Sequence, residues 1–179
     1  MEDTIRILAI SGSLRAVSSN TALLRAAITL APQNVNITVY SGLGNLPHFN
    51  PDLDGDTPPS PVTDFRSLLQ ASNGVLISSP EYAHGVPGVM KNALDWLVGS
   101  GELVGKTVAL LNTSPRATWA QASLTEILTV MMAKLIDEAS ITLPLLGRGL
   151  DEAGIAADPD LSQALSKAIA VFAQQCKDR

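Results

Sequence analysis

The sequence predicts an open, doubly wound α/β domain built on a five-stranded parallel sheet with helices on both faces. Three observations carry that expectation. Five short runs rich in Ile, Val and Leu recur along the chain, segments with helical spacing separate them, and the central runs show too little polar alternation to have one face in water. A strict βα alternation closes into a parallel sheet through right-handed crossovers.

The first run, IRILAIS (5–11), leads through SGSLRAVSSN into a helix expected over Ser19–Leu30, which Ser18 or Ser19 can cap. VNITVYS (35–41) alternates more than the others and reads as a strand nearer an edge. The connection GLGNLPHFNPDLDGDTPPSP (42–61) is long for a compact domain, and such loops are usually functional or mobile. Its DLDGD is not a calcium loop. Counted from Asp52, Gly55 stands fourth and Thr63 twelfth, where an EF-hand needs glycine sixth and an acidic residue twelfth. A helix over Val62–Ala71, the strand GVLISS (74–79) and a helix over Val89–Val98 follow. KTVALLN (106–112), a helix over Thr118–Asp137, a last strand ITLPLL (141–146) and a helix over Pro159–Gln175 complete the series.

At 179 residues the chain suits one domain spanning 1–179, with 46% hydrophobic and 16% charged residues and neither repeats nor low-complexity tracts. Its formal net charge is -5 and its 12 Lys and Arg are dispersed, so no basic stripe awaits a nucleic acid. The start MEDTIRILAI has no cationic region before a short apolar run, which predicts neither a signal peptide nor a membrane span and hence a cytoplasmic protein. Cys176, the single cysteine, is expected to be a surface or packing thiol; it leaves no intrachain disulfide and no cysteine metal cluster.

Open α/β sheets bind ligands beyond the carboxyl ends of their strands, where the strand order reverses. That rule selects the loops GSLRAVSSN, PEYAHGVPG and TSPRATWAQ. The first has neither GxGxxG nor GxxxxGK[ST]. It still has the parts of an anion site: Gly12 for a tight turn, hydroxyls on Ser13, Ser18 and Ser19, the fixed charge of Arg15, and a following helix whose free amides carry a partial positive charge of about half a unit. A terminal phosphate would suit it.

GSLRAVSSN followed later by PEYAHGVPGVMKNALDW closely resembles the NAD(P)H-dependent FMN reductase family of flavodoxin-like proteins, in which the two stretches read approximately GSLRxxSxN and PEYNxxxPGxLKNAxDW. Gly12, Ser13, Leu14, Arg15, Ser18 and Asn20 match the first, and Pro80, Glu81, Tyr82, Pro87, Gly88, Lys91, Asn92, Ala93, Asp95 and Trp96 match the second. LPHFNPD, after the second strand, also looks like the family. The resemblance implies a flavodoxin-like fold and an FMN at the carboxyl edge of the sheet. Its phosphate would lie with Ser13, Arg15, Ser18 and Asn20, and its ring against Pro80, Glu81, Tyr82 and the backbone of Ala83, with Ser114 from the loop after the fourth strand. Two departures stand out. Ala83 replaces the family's Asn and so offers no side-chain hydrogen bond, and TSPRATWAQ has Pro115 and Arg116 where many members are glycine-rich.

The implied function is passage of hydride from NADPH or NADH through FMN to a quinone, free flavin or similar small acceptor by ping-pong exchange, with no catalytic triad because the cofactor carries the chemistry. No GxSxG is present, and His48 and His84 have no motif partner; His84 reads as a partly exposed loop residue. Arg116 is expected to attract the dinucleotide, and the long loop 42–61 to cover the flavin. Trp96 is expected in packing or a subunit contact, and 131–139 in a helix at an interface, because the resemblance implies a homodimer or homotetramer. A flavodoxin-type electron carrier and a cofactor-free scaffold of the same fold are the alternatives.

Overall fold

The computed structural model describes residues 4–177; residues 1–3, the start of MEDTIRILAI, and residues 178–179 lie outside it. The chain runs β1 (Ile5–Ser11), α1 (Ser19–Leu30), β2 (Val35–Tyr40), α2 (Ser60–Ala71), β3 (Gly74–Ser78), α3 (Gly88–Asp95), β4 (Thr107–Asn112), α4 (Thr118–Val130), β5 (Lys134–Leu135), β6 (Ile141–Thr142), α5 (Glu152–Ala157) and α6 (Pro159–Lys177). The sheet is parallel in the order β2-β1-β3-β4-β5, with β6 also on β4. This is the flavodoxin-like order, whose switch point lies between β1 and β3.

The apolar runs lack alternation because consecutive residues serve two cores. Ile7, Ala9, Leu76, Ala109 and Leu111 face α1, α5 and α6, where they meet Leu23, Leu165, Ile169 and Phe172. Leu8, Ile10, Val75, Ile77, Val108 and Leu110 face the other layer with Phe65, Leu69, Met90, Trp96 and Leu124. Every residue of β3 and β4 is buried. Gly74 makes room at the start of β3: a Cβ there would come within 2.5 Å of Cys176 Sγ, so the cysteine is a packing thiol.

The fifth strand position differs from the expectation. The helix expected to reach Asp137 ends at Val130, and Met132, at φ 59, turns the chain while its amide donates to Thr129 O (2.9 Å). The stretch 131–139 is therefore not an interface helix. It supplies β5 beside Thr107 and Val108 and then a 3-10 turn, Asp137–Ala139. Ser140 Oγ accepts the Leu110 amide (3.1 Å) in place of a ladder carbonyl, so the break leaves no orphan donor there. Of the run 141–146 only Ile141–Thr142 is regular strand, although the amides of Leu143 and Leu145 continue onto Asn112 O (2.8 Å) and Thr113 O (3.0 Å). Pro144, between them, has no N–H to give. Helix α5 has no counterpart among the helices the spacing predicts. It is six residues long and is capped by Asp151, whose side chain accepts from the Gly154 amide.

The long loop is pinned away from the switch point. Pro47 O accepts from both Asn92 Nδ2 (3.0 Å) and Trp96 Nε1 (2.8 Å), while Asn92 Oδ1 accepts the Phe49 amide (2.8 Å). Phe49 meets the fully buried Trp96 ring edge-on at 5.1 Å, and Arg66 on α2 holds Asp54 at 2.8 Å. The KNALDW residues thus fasten the LPHFNPD segment, and each motif explains the other. Asn92→Ala removes a donor and an acceptor together, with an expected loss of about 1–3 kcal/mol. Denaturant unfolding checks the loss, and limited proteolysis should then cut first within 42–59.

Candidate functional site

The site begins with a close approach. The Gly12 amide donates to Ser78 O at 2.8 Å, and a Cβ at Gly12 would fall 2.3 Å from Ser79 Oγ and 2.9 Å from Ser79 Cβ. Glycine at position 12 is what lets the first loop lie against the tip of β3. Beyond it the loop is laced by its own hydroxyls. Ser11 Oγ pairs with Thr21 Oγ1 (2.9 Å), Ser13 Oγ accepts the Arg15 amide (3.4 Å), and Ser18 caps α1 by accepting from the Thr21 amide (3.4 Å). The capping role leaves Ser18 Oγ with further capacity toward the cavity.

Asn20 ties three strand tips together. Its Oδ1 accepts from Ser78 Oγ (2.9 Å) at the end of β3 and from Thr113 Oγ1 (3.4 Å) beyond β4, while its backbone belongs to the helix that follows β1. The Nδ2 of this buried residue has no acceptor among the described residues. Asn112 repeats the pattern: Oδ1 accepts the Ser114 amide (3.1 Å) and Nδ2 has no acceptor among the described residues. Ser114 Oγ in turn accepts the Arg116 amide (3.2 Å), shaping the turn into α4.

The PEY stretch is built differently from what its sequence suggests. Glu81 Oε2 accepts the Ala120 amide (2.8 Å) in the first turn of α4, whose N-cap Ala117 has no side-chain oxygen to offer. The carboxylate is thereby spent on joining two loops. Tyr82 and Gly85 exchange backbone hydrogen bonds (3.1 and 3.0 Å) around a two-residue turn in which Ala83 (φ 49) and His84 (φ 57) are both left-handed. Asparagine tolerates that conformation better than other non-glycine residues. The family's Asn therefore suits this turn by its backbone preference, beyond any contact it makes. Ala83 is exposed and does not line the cavity.

Ser13, Arg15, Ser18, Asn20, Pro80, Glu81, Tyr82, Ser114 and Arg116 all line one cavity of about 310 Å³ at the switch point. That volume is at the small end of the roughly 300–1,000 Å³ of ligand pockets. Ser19, the third hydroxyl of the first loop, lines it too, and Asn112, Thr113, Ala117 and Leu146 join them from positions the sequence does not single out. Asn112 and Thr113 were legible as the residues at the end of the fourth run. Leu146 was not, because it reaches the cavity from beyond the sheet. No residue of 42–61 lines it. Glu81 is the one carboxylate on the wall, whereas Arg15 and Arg116 are exposed and form no ion pair among the described residues. The mouth is cationic on an anionic chain. Among the described residues no cluster of His, Cys, Asp and Glu suits a metal ion, and no helix is long and apolar enough to cross a membrane.

Residues 5–145 match the model of a family described as NADPH-dependent FMN reductase. An NAD(P)H-dependent FMN reductase of Pseudomonas aeruginosa is 38% identical over 116 residues, 64% of this chain and 62% of that protein. A quinone reductase of Pseudomonas putida is 36% identical over 122 residues, 65% of this chain and 64% of that one. These alignments span less than two thirds of the relatives' own length. Among solved structures, a flavoenzyme NAD(P)H:(acceptor) oxidoreductase from Paracoccus denitrificans superimposes with a TM-score of 0.82 at 26% identity, covering 98% of each chain. A flavodoxin from the domain Archaea, at 16% identity and a TM-score of 0.64, shares the fold.

Because the turn is left-handed at Ala83, Ala83→Asn is expected to raise stability by about 0.5–1 kcal/mol. In a thermal melt that corresponds to an increase of about 1–4 °C. An unchanged or lowered midpoint would count against a conformational reason for the family's asparagine.

Proposed function

The chain belongs to the NADPH-dependent FMN reductase family, and on that premise we propose that residues 1–179 form a single flavodoxin-like domain that binds FMN and passes hydride from NADPH or NADH to a quinone, free flavin or similar small acceptor. The observation that carries this reading is the cavity itself: a cationic mouth over two mostly buried asparagines whose Nδ2 donors have no acceptor among the described residues, at the switch point of the sheet. A phosphorylated, polar-edged ring meets those requirements. Ser13, Arg15, Ser18 and the free amides at the start of α1 would hold the phosphate. Asn20 and Asn112 would donate from the floor. Pro80, Tyr82 and Ala117 would give the ring an apolar wall, with Ser114 and the backbone of Glu81 at its polar edge.

Bound FMN supplies two-electron transfer chemistry, so the chain's task is to bind it, orient it and leave room for successive substrates. Arg116 would draw in the dinucleotide phosphates, and the chain has no fingerprint that separates NADPH from NADH. The donor would leave before the acceptor arrives, a ping-pong exchange. We place the enzyme in the cytoplasm as a homodimer or homotetramer, without nucleic-acid or membrane partners.

Two measurements test this. Arg15→Ala should weaken FMN binding by about tenfold or more, the scale of one charge-assisted phosphate contact, as read by flavin fluorescence titration. FMN-loaded protein mixed anaerobically with NADPH and with NADH should lose its yellow colour rapidly with at least one of them. Fully loaded protein that keeps its colour with both is not a reductase. Steady NADPH consumption with a quinone separates the enzyme from a carrier that takes electrons only from a protein.

A further inference from the structure

A second cavity opens on the far side of the first loop. It measures about 560 Å³, larger than the one at the switch point, and the two share Arg15, Ser18, Ser19 and Leu146 as a common wall. The proposed flavin would set its phosphate against that wall, so whatever fills the second cavity lies next to the phosphate. One side of the space is a face of α1, where Thr21, Ala22 and Arg25 follow at helical spacing, and the other is the turn 146–152. Among the described residues, none of the PEY loop or of TSPRATWAQ lines it.

Its lining offers more than one kind of contact. Gly147 (φ 79) and Gly149 (φ 64) are both left-handed, and neither amide finds an acceptor among the described residues, whereas the Arg148 amide between them donates to Leu145 O (3.1 Å). A Cβ on either glycine would meet nothing within 4 Å, so glycine stands there for backbone conformation rather than packing. Turns that present free amides form concavities for anions. This one is held in place, because Arg148 reaches Asp158 at 2.6 Å. Arg25 and Glu152 come only to 3.9 Å of each other and are both about half exposed, a loose pair that leaves a guanidinium and a carboxylate available. Asp151, by contrast, is spent on capping α5 through the Gly154 amide (2.8 Å). Val17 is 82% exposed and Leu146 61%, two apolar side chains left in water on the lining of the same space.

A phosphate, a sugar and a flat base together use all of these groups. Arg15, Arg25 and the glycine amides suit the phosphate, the Glu152 carboxylate can accept from sugar hydroxyls, and Val17 and Leu146 give a base apolar cover. We propose that the second cavity receives the adenylate half of FAD, so that the chain holds FAD as well as FMN and prefers it. The inference rests on the reading that a flavin fills the first cavity with its phosphate against Arg15 and Ser18. An adenylate joined to that phosphate crosses the shared wall directly. The nicotinamide dinucleotide would approach from the Arg116 side of the mouth, and Arg116 does not line the second cavity, so its adenylate is the poorer match.

The test is a competition for the flavin site. FMN-loaded protein is equilibrated with equimolar FMN and FAD, and the flavins retained after gel filtration are separated and quantified. FAD should be retained about tenfold over FMN, the scale of one added charge-assisted contact. Arg25→Gln and Glu152→Gln should each lower that ratio about fivefold, and Val17→Ser about threefold, with the FMN dissociation constant unchanged in all three. Unchanged FMN binding also shows that each variant is folded. A ratio at or below one, or FMN and FAD weakened equally by the variants, would overturn the inference. Variants that leave the ratio unchanged would overturn it too, and if they instead weaken NADP⁺ binding to FMN-loaded protein, the cavity belongs to the donor's adenylate. Protein that takes up FMN but no FAD defeats this inference alone, whereas protein that takes up neither defeats the flavin reading beneath it.

Discussion

Parallel strands that end side by side leave their last polar groups facing a common crevice, and here the Asn20 side chain gathers them. Its carbonyl oxygen takes hydrogen bonds from Ser78 and Thr113 while its backbone starts the helix after β1. That contact requires the first loop to lie against β3, which in turn requires a residue without Cβ at Gly12. Glu81 adds a third connection by capping α4 from across the crevice. The cavity exists because these three loops are fastened at their base, and a preformed pocket avoids ordering its loops when a ligand arrives. A motif residue such as Glu81 can therefore serve architecture while standing on the wall of the cavity.

Charge is distributed unevenly over the same framework. The chain carries a formal net charge of -5, yet among the described residues the only carboxylate on the cavity wall is hydrogen-bonded to a backbone amide. Arg15 and Arg116 are left to set the local potential. Over distances beyond roughly 8–10 Å salt screens the remaining acidic surface, so an approaching anion responds chiefly to the two guanidiniums at the mouth. Anionic substrates are thus compatible with an acidic protein.

The second recognisable motif divides between chemistry and construction. Its front half, Pro80 to Tyr82, lines the cavity, whereas Asn92 and Trp96 turn away from it and hold Pro47 and Phe49 of the long loop. A nineteen-residue connection (41–59) without a regular strand or α-helix would otherwise lack anchors. The indole N–H and the two ends of one amide supply them from inside the second core.

The amino-acid sequence by itself determined the sheet. Runs apolar on both faces, separated by helical spacing, admit only buried parallel strands, and the loops worth inspecting followed from topology. It also determined most of the cavity wall, because Ser13, Arg15, Ser18, Asn20, Pro80, Tyr82 and Ser114 sit in the loops that leave strand ends or in the first turn of the helix that follows. Tertiary structure decided the rest. The fifth strand breaks because Ser140 Oγ replaces a carbonyl on Leu110, thirty residues away in sequence. Leu146 enters the cavity from outside the sheet, and Trp119 of α4 meets His84 of the loop after β3, 35 positions away in the sequence. Periodicity belongs to consecutive residues and survives in the sequence. The meeting of two side chains from different loops depends on how helices and strands pack, and no local pattern encodes it.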